Sequence, residues 1–135
     1  MIDFQFVNKK IPGFNSEFFI LSLSKLITEE AKVIGDISII FVSDEYLLEM
    51  NQSYLSHDYY TDIITFDYCE GNLISGDLFI SVDRVGENAD TFNVAFLSEL
   101  HRVMIHGVLH LCGYKDKSIE EEKQMRILEN KYLNK

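Results

Sequence analysis

Proline is nearly missing from this chain, with Pro12 alone among 135 residues. That excludes a proline-rich spacer or recognition tract. Tryptophan is absent, and the two cysteines, Cys69 and Cys112, lie far apart. Two distant cysteines do not make a disulfide framework and fit a reducing compartment. No uncharged apolar run reaches membrane-spanning length, and Met1-Ile2-Asp3-Phe4 lacks the basic and apolar regions of a signal peptide. A soluble cytoplasmic protein with no membrane partner is therefore expected. Basic residues are also scarce, 12 against 22 acidic ones, for a net charge of −10. An acidic surface repels polyanions, so no DNA partner is expected and any nucleic-acid binding must rest on local cations. Lys115 and Lys117, with Arg84 and Arg102 if the chain folds back, are the candidates.

What is present is apolar material in quantity. A hydrophobic fraction of 47% with ten phenylalanines excludes a disordered chain and suffices for one domain spanning 1–135. Ile2 to Val7 alternates as a half-buried strand, broken at Pro12-Gly13. Phe19, Leu23, Leu26 and Ile27 recur at helical spacing in a run that should end near Gly35. Ile37 to Val42, rich in β-branched residues, reads as a second strand, and Ser43-Asp44-Glu45 opens a short helix to about Tyr54. Ile63–Phe66 and Leu73–Ser81 should pair as an antiparallel hairpin. The polar segment from Asp83 to Thr91 has room for a short helix. A long helix is expected from Asn93, as N-cap, to Cys112, with Phe96, Leu97, Leu100, Val103, Met104 and Leu109 facing the core. Ser118 and Glu121 form a capping box for a last helix carrying Met125, Leu128 and Tyr132 inward. The order predicts an α+β fold, a four-stranded mixed sheet covered by helices, with the long helix central.

That helix ends in the stretch around which the chemistry is organised, His106-Gly107-Val108-Leu109-His110-Leu111-Cys112-Gly113-Tyr114-Lys115-Asp116. Histidines four apart stand one turn apart on one helix face, so both imidazoles can reach one ion. Gly113 tolerates the left-handed conformation that ends helices, and Asp116 can then approach from the other side. His106, His110 and Asp116 make a three-ligand set with a position left for water. The places match the H-E-x-x-H-x-x-G-x-x-H zinc pattern with two departures: Gly107 replaces the glutamate base, and Asp116 replaces the last histidine. A bare H-x-x-x-H is also what two unrelated histidines on a helix look like; the placed glycine and aspartate argue for metal. Cys112, two residues after His110, points elsewhere and reads as a structural thiol.

With those residues in view, the chain resembles the YbeY family of bacterial ribosomal-RNA maturation factors. The family's H-G-x-L-H-L-x-G-Y-D-H is matched from His106 to Asp116. Its N-x-x-Y-R-x-x-D-x-P-T-D block is echoed by Asn51, Tyr54, Asp58, Thr61 and Asp62. Gly76-Asp77 matches a third motif, and Glu121, Met125 and Glu129 sit where the family's last helix has similar residues. The resemblance implies a metal-dependent, single-strand-specific endoribonuclease acting in rRNA maturation and ribosome quality control. One Zn2+ or another divalent ion would be held by His106, His110 and Asp116, with rRNA and the ribosomal subunit or assembly proteins as partners. Departures are specific. Asp116 stands at the family's third histidine, Lys115 at its preceding aspartate, Tyr60 at the loop proline, and Leu55 at a loop arginine implicated in cleavage. His57, two residues beyond Leu55, would stand in for that arginine when protonated; otherwise it is a solvated loop residue.

Three other readings remain open on the residues alone. A zinc peptidase would lack its general base at Gly107. A two-histidine-one-carboxylate set also suits a non-haem iron oxygenase. A ribosome-assembly factor with a structural metal would need no catalysis at all. Gly107 is also expected to leave space beside the ion for a bulky substrate.

Overall fold

In the computed structural model, which describes residues 1–55 and 61–134, the elements follow the order β1 (Ile2–Phe6), α1 (Ser16–Glu29), β2 (Val33–Val42), α2 (Asp44–Leu55), β3 (Ile63–Asp67), β4 (Leu73–Ser81), α3 (Val82–Phe92), α4 (Phe96–Leu111) and α5 (Ile119–Leu133). The strands form one mixed sheet in the order β1-β2-β4-β3. β1, β2 and β4 run parallel, and β3 lies antiparallel at the edge, Ile63 opposite Ile80 and Asp67 opposite Gly76. The α+β class, the mixed sheet and the β3–β4 hairpin agree with the sequence reading.

The boundaries differ in two places. α1 stops at Glu29, not near Gly35, because Ala31 takes a positive φ of 59° and turns the chain into β2 six residues earlier than glycine alone suggests. Asn93 does not cap the long helix. Its φ of 55° makes it the left-handed C-cap of α3, and α4 begins at Phe96 after Ala95, with no side-chain cap. Asparagine serves at both helix ends, so composition alone could not say which it closes.

α4 lies against the sheet, packed also by α1, α3 and α5. Leu100, Met104, Ile105, Val108 and Leu109 are fully buried along it, and Leu23, Ile39, Leu78 and Ile80 belong to the same cluster. Truncating any of these to alanine should cost about 2–5 kcal/mol through lost transfer energy and the cavity left behind. Leu97, expected inward, is substantially exposed near the helix start. A second, smaller cluster on the other sheet face joins Ile40, Val42, Leu47 and Ile64.

Gly107 explains how closely α4 approaches the sheet. A Cβ there would lie 2.7 Å from Ile63 Cδ1 and 3.0 Å from Leu78 Cδ1. The missing side chain therefore admits β3 and β4, not a substrate beside the ion, which corrects the expectation drawn from sequence. The close approach at Gly107 packs α4 directly on β3 and β4.

Candidate metal centre

The end of α4 is shaped by Gly113, whose φ is 107°. Its N–H donates to the His110 carbonyl at 3.0 Å, and the Tyr114 N–H donates to the Leu109 carbonyl at 3.1 Å. That pair of bonds is the Schellman closure, which uses up orphan carbonyls and reverses the chain. The reversal brings Asp116 back over the helix face carrying His106 and His110.

There, three ligand atoms form a nearly equilateral triangle. His106 Nε2 and His110 Nε2 are 3.0 Å apart, and Asp116 Oδ2 lies 3.2 Å from the first and 3.3 Å from the second. A tetrahedral ion with bonds of about 2.0–2.1 Å sets its ligands roughly 3.3–3.4 Å apart, so the triangle is close to one face of such a tetrahedron. All three side chains are partly exposed, which leaves the fourth direction open to a cleft.

The proton positions strengthen this fit. His110 Nδ1 lies 2.9 Å from the Tyr114 carbonyl. A carbonyl only accepts, so Nδ1 carries the hydrogen and Nε2 of the neutral ring presents a lone pair. His106 Nδ1 lies 2.7 Å from Glu129 Oε2. Burial opposes ionisation of Glu129, but hydrogen bonds and charge from His106 and Arg102 outweigh it and hold its carboxyl below the usual range. Glu129 therefore accepts, and His106 Nε2 also faces inward as an acceptor. Two lone pairs and a carboxylate oxygen converge with no hydrogen of their own, an arrangement that calls for a proton or a cation. The residues present fit a divalent metal ion. Burial disfavours a charged His106, yet Glu129, Asp116 and Asp62 together raise its pKa above the ordinary value, so a proton competes with metal for the same point.

Behind His106 stands a network that sequence reasoning did not assemble. Arg102 Nη1 donates to Glu129 Oε1 at 3.0 Å, and Arg102 Nη2 donates to Glu99 Oε1 and Oε2 at 2.7 and 2.8 Å. Glu99 and Glu129 are both almost fully buried. Two signals were available. Glu99 and Arg102 are three apart on one helix, and Glu129 falls on the buried stripe of α5 between Met125 and Tyr132. A carboxylate on an apolar stripe needs a partner. Arg102 is thus near the site, as its candidacy required, though spent on carboxylates. Arg84 pairs with Asp44 at 2.7 Å and Glu87 at 2.8 Å and does not line the cleft.

The cleft itself, about 620 Å³, is lined on one side by His106, His110, Gly113 and the turn to Asp116, and on the other by Asn51 and β3. Asp62, just before β3, borders it. Burial raises the Asp62 carboxyl above the ordinary range, partly offset by the charge of His106. Lys115 lines the cleft as expected of a local cation. Cys112 takes no part. It is half-buried at the helix end, and burial pushes its thiol to about 12. His57 lies outside the described residues.

A family model described as Endoribonuclease YbeY matches residues 5–135. The chain belongs to the YbeY family. Within it, the chain is 50% identical over 133 residues to Endoribonuclease YbeY of Phocaeicola vulgatus, covering 98% of this chain and 96% of the relative. It is 60% identical over 102 residues to Endoribonuclease YbeY of Bacteroides fragilis, covering 76% and 73%. A solution structure of a Thermotoga maritima protein superposes with a TM-score of 0.68 at 30% identity, over 99% of this chain and 87% of that one. No helix among the described residues is long and apolar enough to cross a membrane.

Proposed function

We propose that this chain is a metal-dependent endoribonuclease that cuts single-stranded RNA, acts in ribosomal-RNA maturation and uses zinc. The observation that carries the reading is the convergence of His106 Nε2, His110 Nε2 and Asp116 Oδ2 at mutual distances of 3.0 to 3.3 Å. Membership in a family whose relatives are named endoribonucleases supplies the substrate class.

His106, His110 and Asp116 would hold the ion. When bound, a divalent ion supplies Lewis acidity toward a phosphoryl oxygen and lowers the pKa of water from near 16 toward ~7. The chain's own residues prepare that point. Glu129 and the Tyr114 carbonyl hold the Nδ1 protons, which fixes both tautomers and turns both Nε2 lone pairs inward. His106 and, after it, Arg102 offset the burial of Glu129 and keep its carboxyl ionised. Asp62, a carboxylate on the sheet side of the cleft, would take a proton during attack, a task Gly107 cannot perform. The missing helix-borne glutamate disfavours a peptidase, and the cleft's acidic lining makes delivery of RNA by the ribosomal subunit or an assembly protein part of this reading.

The test is cleavage of a single-stranded rRNA fragment by zinc-loaded protein beside His106→Ala and Asp62→Asn. Cutting by the parent, loss in both variants and retained metal in Asp62→Asn are expected. Equal cutting by parent and His106→Ala would assign the activity to a contaminant.

A further inference from the structure

β3 is an edge strand, and one of its two sides has no partner among the described residues. Which residues point that way follows from the register. Ser81 N–H donates to the Asp62 carbonyl and Tyr68 N–H to the Ser75 carbonyl, each at 2.9 Å. In an antiparallel pair the bonded residues alternate, so the even-numbered residues from Asp62 to Tyr68 carry the ladder to β4. Ile63, Thr65 and Asp67 then turn their N–H and C=O groups toward the free edge. The Ile63 carbonyl accepts from the Thr61 hydroxyl at 3.3 Å. Along the outer edge the next groups are the Thr65 N–H, the Thr65 carbonyl and the Asp67 N–H. These three residues also line the cleft that holds His106, His110 and Asp116.

An unpaired strand edge is a template for another hydrogen-bonding edge. The occupant must suit a wall whose side chains include Asp62 and Asp67, close to Asp116. Away from Lys115 and from a cation at the three ligands, such a wall disfavours phosphates and tolerates neutral groups. The Watson–Crick edge of a nucleobase is neutral and carries a donor beside an acceptor. It is available only when the base is unpaired, which is how proteins read single-stranded RNA. A carbonyl and the N–H two residues on, as at Thr65 and Asp67, offer the complementary pair.

Resting on the endoribonuclease reading, we infer that the outer edge of β3, through the main-chain groups of Thr65 and Asp67, binds the Watson–Crick edge of an unpaired base and so restricts the metal site to single strands. Duplex RNA cannot satisfy this edge, because its bases already use those groups. Every base presents a donor next to an acceptor, so the edge selects strandedness and not sequence.

The experiment follows amide hydrogen exchange in the zinc-loaded, unmodified protein with a single-stranded 2′-O-methyl oligonucleotide that resists cleavage. The Asp67 amide, the donor of the pair, should slow at least fivefold on saturation, while Ile64 and Phe66, already bonded to β4, should not change. The same sequence as a duplex should leave Asp67 unchanged. Asp67→Pro removes the outward N–H at a position where an edge strand tolerates proline, and should bind the oligonucleotide roughly five- to tenfold more weakly than Asp67→Ala, the worth of one hydrogen bond. Asp67→Ala loses the same carboxylate and keeps the N–H, so it isolates the main-chain contact. Unchanged Asp67 exchange in a protein that binds and cuts single strands would overturn the edge and leave the endoribonuclease intact. Protection by an extended peptide but not by the oligonucleotide would overturn it in favour of strand addition by protein. A zinc-loaded parent that neither cuts nor binds RNA would overturn both readings.

Discussion

Glu129 Oε2 lies 2.7 Å from His106 Nδ1, so a carboxylate on the last helix sets the ring orientation of a histidine on the central one. The same carboxylate accepts from Arg102 through its other oxygen at 3.0 Å. Glu129→Gln should preserve the fold's shape while losing the charge that holds the Nδ1 proton. Metal affinity should fall about 10–100-fold, the usual effect of losing such a supporting carboxylate. Competition with a metal-sensitive dye measures this directly.

The role proposed for Asp62 is separate from that of His106, His110 and Asp116. Asp62→Asn should leave metal content and thermal stability near the parent and lower kcat by about 10²–10⁴-fold, the range for losing a general base. A fall in KM-dependent binding with kcat untouched would make Asp62 a positioning residue instead. Single-turnover kinetics separate the two outcomes.

The turn at Gly113 is a conformational requirement, since its φ of 107° lies where a side chain is strained. A Cβ there would meet no neighbour within 4 Å, so the cost is one of backbone and not of space. Gly113→Val should lower stability by more than about 1 kcal/mol and weaken the metal site through misplacement of Asp116. Denaturant unfolding with parallel metal titration checks both halves.

How much of this was legible beforehand divides along physical lines. His106, His110, Gly113 and Asp116 lie within one helix and its closing turn, so spacing alone brought them together. Glu129 reaches His106 from α5, and Asp62 borders the cleft from the start of β3. Contacts at that sequence separation are set by packing, which periodicity does not encode. Ala31 and Asn93 show the same limit locally: non-glycine residues took left-handed conformations that ended helices, and the sequence reading assigned those endings to Gly35 or turned Asn93 into a start. The sheet was recoverable because β-branched and apolar alternation survives in each strand.

His101 supplies a pH dependence independent of His106, His110 and Asp116. Its Nε2 lies 2.7 Å from Ser22 Oγ between Phe18 and Phe19, and burial lowers its pKa below 6.5. As pH falls below that ordinary value, the unfolded chain takes up a proton that the folded one still refuses. Stability is thus lost as pH falls from the unfolded pKa toward the depressed folded one. In metal-free protein His106 acts oppositely, because its raised pKa adds stability at low pH that disappears as pH rises through it. The difference in stability between the parent and His101→Gln, followed from pH 8 to pH 5, cancels the His106 contribution. That difference should shift against the parent on acidification, by no more than about 1.4 kcal/mol per pH unit. A pH-independent difference would show that His101 titrates normally.

The account stands on three side chains holding one ion. Elemental analysis of the purified protein, beside His110→Ala and Asp116→His made the same way, tests that most directly. One divalent ion per chain in the parent, its loss in His110→Ala and its retention in Asp116→His are expected, because the Gly113 turn delivers position 116 to the ion whichever ligand it carries. Equal metal content in the parent and His110→Ala would contradict the account at its centre.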